Sequence, residues 1–129
     1  MAVRVLRVMC DYSAHGLWTA RGAVHPADLR LPAALVARLA GWQAGYERLI
    51  DTLAAAGWDS HAAEGLQIAI AVKQALPGWQ VIYFDDDRRD MAAAFGWPAT
   101  GDWRGFFEYE IDAAVVASGQ PPVWVEPSK

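Results

Sequence analysis

PAALVARLAGWQAGYERLIDTLAAA, residues 32–56, carries the strongest periodic signal in the chain. Leu35, Leu39, Trp42, Tyr46, Leu49 and Leu53 recur in alternating steps of four and three, the spacing of a helix laid along a partner helix. Pro32 suits a first turn, where its missing N–H costs nothing. Gly57 is the expected stop, and Asp59 or Ser60 then caps a second helix that runs to about Leu76 through Leu66, Ile68, Ala69, Ile70 and Val72. So short a connection predicts an antiparallel helical hairpin. The stripe of the first helix needs a partner, which the second helix or a second copy of the chain in a homodimer would supply.

Strands flank this hairpin. Val3 to Asp11 reads as one, with Val3, Val5 and Met9 on one parity and Leu6, Val8 and Cys10 on the other, so both faces look largely covered. Trp79 to Phe84 reads as the second, with Trp79, Val81 and Tyr83 opposite Ile82 and Phe84. Residues 12–31 form a long loop rich in Gly, His and Pro, of the kind that is either functional or packed down by its own side chains. A short helix is expected from about Asp87 to Phe95. The segment from Trp103 to Ser118 reads two ways. Phe107, Tyr109 and Ile111 alternate with acids as in a half-wet strand, yet a helix from an Asp102 cap to a Gly119 stop accounts for more residues and is preferred. The sum is an α+β fold, a small sheet packed against an antiparallel helical hairpin with further C-terminal helices, in a single globular domain spanning 1–129.

Seven tryptophans in 129 residues punctuate that plan. Gly57-Trp58, Gly78-Trp79 and Gly96-Trp97 each follow an apolar helical run, where glycine takes the left-handed position past the helix end and tryptophan folds back as the hydrophobic contact. Trp18 in the long loop and Trp124 in the Pro-rich tail have no such architectural reason, which makes them the candidate interface residues.

Composition narrows the function classes. Eleven basic against fifteen acidic residues give a net charge of −4, which opposes nucleic acid and suits a basic protein partner. No apolar run approaches the roughly 18 residues of a membrane span. Arg4, Arg7 and Asp11 break the N-terminal run, so no secretory segment is expected and the cytoplasm is the expected location. Cys10 is the only cysteine, which excludes an intramolecular disulfide.

The strand ending in Asp11-Tyr12, then Leu17-Trp18, Val24, Pro26, Asp28-Leu29, Leu31, Trp42 with Tyr46, and the closing Trp79 to Asp85 resemble a group of small bacterial proteins of unknown function over about residues 3 to 86. The resemblance is a pattern of hydrophobic and turn anchors and implies no particular chemistry. Residues 87–129 read as an extension beyond it.

Candidate chemistry gathers on acids. If the two strands are parallel, Asp11 and Asp85, with Asp87 close by, emerge together at the carboxyl ends where open α/β sheets bind ligands, and would suit a hard divalent cation. Antiparallel strands would separate them by about 20 Å at ~3.3 Å per residue. The competing reading is that Asp85 to Asp87 only cap the third helix. Cys10, Asp11, His15 and His25 lack a metal-ligand spacing, and no phosphate loop, dinucleotide fingerprint or hydrolase elbow is present, so no cofactor is expected. The leading expectation is a non-enzymatic binding or interaction module, in one version an immunity-type protein that neutralises a basic toxin. The alternative is a small enzyme or divalent-metal-dependent binder using the aspartates.

Overall fold

Alternation along the first strand sorts its side chains cleanly. Leu6, Val8 and Cys10 are buried against the helices while Val5 and Arg7 are exposed on the other face, so only one face of this strand is fully covered. The computed structural model describes residues 4–94 and 107–123. Its elements are β1 (Val5–Val8), β2 (Leu17–Thr19), β3 (Gly22–Ala23), a 3-10 turn (Pro26–Leu29), α1 (Ala33–Asp51), α2 (Trp58–Ala75), β4 (Gln80–Phe84), α3 (Asp86–Ala94), β5 (Glu108–Glu110) and α4 (Ala113–Ser118). The strands form one sheet in the order β3-β2-β1-β4-β5. β1 and β4 are parallel, with Val8 opposite Tyr83, and every other pair is antiparallel. The fold is α+β, and the expected helical hairpin packs its apolar stripe within the chain.

Several local expectations give way to tertiary detail. The stretch 12–31 is no plain loop: Leu17–Thr19 and Gly22–Ala23 form a hairpin that extends the sheet, and Pro26–Leu29 make a 3-10 turn capped by the His25 ring, whose Nδ1 accepts from the Ala27 N–H at 3.1 Å. α1 ends at Asp51, well before Gly57. The Leu53 N–H donates to the Ile50 carbonyl at 3.1 Å and the Ala54 N–H to that of Leu49 at 2.9 Å, a Schellman stop with Leu53 in the left-handed conformation at φ 49°. Leu53 leaves the stripe and is 89% exposed. Gly57 has φ 99° but stands at the start of α2 rather than the end of α1, and neither Asp59 nor Ser60 caps that helix. Gly78 has no positive φ, and Trp79 instead takes the Arg4 guanidinium over its ring at 4.7 Å. Of the helix preferred for 103–118, the described residues 107–118 show only Ala113–Ser118, capped by the Asp112 side chain and stopped by Gly119 at φ 67°. Ahead of it the alternation wins, because Glu108–Glu110 complete the ladder of β4 and bury Tyr109. Gly96-Trp97, Trp103 and Trp124 lie outside the described residues.

The core is most closely fitted where α2 crosses β4. Gly65 faces the sheet, and a Cβ there would lie 2.5 Å from Trp42 Cζ2 and inside contact distance of the Tyr83 hydroxyl. The Trp42 indole N–H donates to the His61 carbonyl at 3.0 Å, and the Tyr83 hydroxyl to that of Ala62 at 2.8 Å. His61 stacks on Trp42 with ring centroids 5.0 Å apart. Absence of a side chain at 65 is therefore what lets both rings reach the first turns of α2.

Candidate functional site

Parallel pairing of β1 and β4 brings Asp11 and Asp85 to the same edge of the sheet. The ladder itself ends at Val8 and Tyr83, and beyond it Asp11 acts electrostatically on Asp86, the first residue of α3. Asp86 is 4% exposed, and burial pushes its carboxyl up to about 6, with Asp85 and Asp11 adding like charge and Arg89 opposing. Asp85 is 7% exposed and raised by burial, against the lowering effect of Arg88. Its Oδ1 accepts from the Arg88 backbone N–H at 3.0 Å, the bond of a helix cap, and its Oδ2 lies 4.0 Å from Arg88 Nε. Asp11 is exposed and accepts from the Tyr12 N–H at 2.7 Å. Among the described residues, no three of His, Cys, Asp or Glu are gathered so as to hold a metal ion.

Asp85 and Asp87 part company with Asp11. They line a groove of about 320 Å3 between α2, the start of α3, β5 and the turn after α4, together with Asp59, Tyr109 and Gln120. Asp87 is raised by burial and then by the charges of Asp59 and Asp90. Among the described residues neither Asp59 nor Asp87 has an ion-pair partner. The Tyr109 side chain is buried against Tyr83 at 5.8 Å, edge to face, but its hydroxyl has no hydrogen-bond partner among the described residues, and burial raises its pKa. Asp59, Asp86 and Tyr109 escape a reading of the sequence as site residues. Their only signals are weak: Tyr109 falls on the inward side of the alternation at 107–111, and Asp86 is two residues past the end of β4, at the start of α3.

The remaining candidates are dispersed. Cys10 is buried, which pushes its thiol up, and His15 pairs with His25 at 4.6 Å between ring centroids, lining a different cavity beside Gln43 and Glu47. Trp18 sits in β2 rather than at a loop tip. It pairs with Arg7 across the ladder, is half-buried on the sheet face away from the helices, and donates its indole N–H to the Met9 carbonyl at 2.9 Å.

This frame, a mixed five-stranded sheet under a helical pair with an acidic edge, defines a small α+β protein with no helix among the described residues long and apolar enough to cross a membrane. The chain belongs to the Serratia CdiI immunity protein-like family, whose model matches residues 4–86. That span coincides with the anchors from the first strand to Asp85. A search of curated proteins found no match.

Proposed function

We propose that the protein is an immunity-type binding protein that occupies and neutralises a basic toxin in the cytoplasm. The family match over residues 4–86 carries this reading. The net charge of −4 and the acids at the carboxyl ends of β1 and β4 support it, since complementary charge speeds encounter and holds orientation. Trp18 would contribute the face of its ring, because its N–H is already engaged.

Co-expression with a basic toxin domain from the same genome tests the proposal. Growth should be restored, the two chains should co-purify, and their association rate should fall several-fold between about 50 and 500 mM salt. A soluble, folded chain that gives no protection and no complex would sink the reading.

A further inference from the structure

We infer that the outward face of α1 is the contact surface of a symmetric dimer, packed against α1 of a second copy of the chain. The apolar stripe of α1 is already covered within the chain, so the face in question is the opposite one. It is made of two neighbouring rows at i, i+4 spacing, Ala33, Ala37, Gly41 and Gly45 in one and Ala40 and Ala44 in the other. All but the half-buried Gly45 are exposed, and no side chain in these rows exceeds a methyl group. A helix that faces water ordinarily carries charged or long polar side chains there. The two glycines sharpen the point. Neither has a positive φ, and a Cβ at Gly41 would meet nothing, while one at Gly45 would reach only the tip of Arg48 at 3.9 Å. Glycine weakens a helix interior, and nothing inside the chain requires it at these positions, in contrast to Gly65. Close approach of a second backbone from outside does require it.

Shape and charge both favour a second copy as the occupant. The rows stand as a low ridge between two grooves, one of about 450 Å3 on the side of Gly41 and Gly45 and one of about 350 Å3 on the side of Ala40 and Ala44. Helices pack ridge into groove, and a two-fold axis needs one patch to supply both. The first turn of α1 has no acid and no side-chain cap, so its positive dipole end is bare, whereas Asp51 closes the other end without an ion-pair partner among the described residues. Antiparallel copies bring Asp51 of each toward the first turn of the other. His61 is an observation independent of the ridge. It is 8% exposed, lines the larger groove, and bonds through neither ring nitrogen among the described residues; Nε2 is sealed, which leaves Nδ1 for a polar group of the second copy.

The test is sedimentation equilibrium of the full chain, with a dimer expected at a dissociation constant on the order of 10 µM. Gly41→Gln combined with Gly45→Gln should raise that constant about tenfold or more. The denaturation midpoint of the dilute, monomeric variant should rise, because glutamine is the better helix former and its Cβ meets open space. Asp51→Lys should weaken the dimer about threefold. Mild oxidation of Ala44→Cys should link two chains covalently, since Cys10 is buried. A chain that stays monomeric overturns the assignment, whether the face is bare, covered by another protein or covered by residues of the same chain. So does a dimer that forms equally well with both glutamines in place or that Ala44→Cys fails to link. A lowered midpoint overturns it as well, because the glycines would then serve the chain's own interior. A dimer that protects against no toxin upholds the assignment, and protection by a strictly monomeric chain overturns it while the immunity reading stands.

Discussion

The two flanks of α2 are built on opposite terms. On the sheet side Gly65 lets Trp42 and Tyr83 close in, and both rings spend their polar atoms on carbonyls of the helix's own first turns. On the groove side Asp59 is near enough to raise the pKa of Asp87, and the Tyr109 hydroxyl has no hydrogen-bond partner among the described residues. The first flank is close-packed and holds the fold, although His61 Nε2 within it is also buried without a partner among the described residues. The second is acidic and opens onto a groove.

The largest expected effect breaks the first flank. Gly65→Ala should destabilise by about 3 kcal/mol despite alanine's better helix propensity, because the new methyl displaces two rings and the hydrogen bonds they make. Chemical denaturation measures it, and an unchanged midpoint would refute the packing argument.

A second experiment sets the flanks against each other through pH. His61, stacked in the core, is held down to about 4 by burial, whereas Asp86 at the acidic edge is pushed up to about 6. A depressed histidine contributes stability that is present above about 6.5 and lost as pH falls toward 4. A raised aspartate works the other way, losing stability as pH rises from about 4 to 6. The two slopes oppose, so the wild-type melting temperature should vary little between pH 4 and 6.5. Asp86→Asn should expose the histidine slope, an acid loss of about 2 kcal/mol. His61→Phe should tilt the profile toward higher stability at acid pH. Parallel profiles for all three proteins would show that neither group titrates as its burial requires.

The smallest effect sharpens the contrast from the groove side. Tyr109→Phe removes a buried hydroxyl that has no partner among the described residues, so stability should rise, by about 1 kcal/mol. Differential scanning calorimetry reads the shift. A loss of stability would mean that the hydroxyl is satisfied within the chain and belongs with the first flank.

Much of this was legible beforehand, and particular residues show where legibility ended. The helical hairpin, the strands around Leu6 and Val81, and the terminating role of Gly119 all rest on local periodicity and turn chemistry, which the chain carries residue by residue. Leu53 as the helix stop was hidden, because nothing local favours leucine in a left-handed conformation; the path from α1 into α2 imposes it. Trp18 looked free only because its two-residue hairpin loop at Ala20-Arg21 carries a single glycine beside it. The site was less visible still. Asp11, Asp85 and Asp87 were drawn together by chain position, yet only Asp85 and Asp87 share a groove, while the charge of Asp11 bears on Asp86.

Sequence alone determined the helical hairpin, the two strands that flank it, their apolar faces and the acid-rich balance of the chain, since each depends on neighbours within a few residues, whereas β2, β3 and β5 emerged only in the folded sheet. Which acids share a groove, which hydroxyl is left unpaired beside them, and that β1 and β4 run parallel were decided only by the tertiary structure. Those relations join residues as far apart as Asp59, Asp87 and Tyr109, and no local pattern encodes a register between strands separated by two helices.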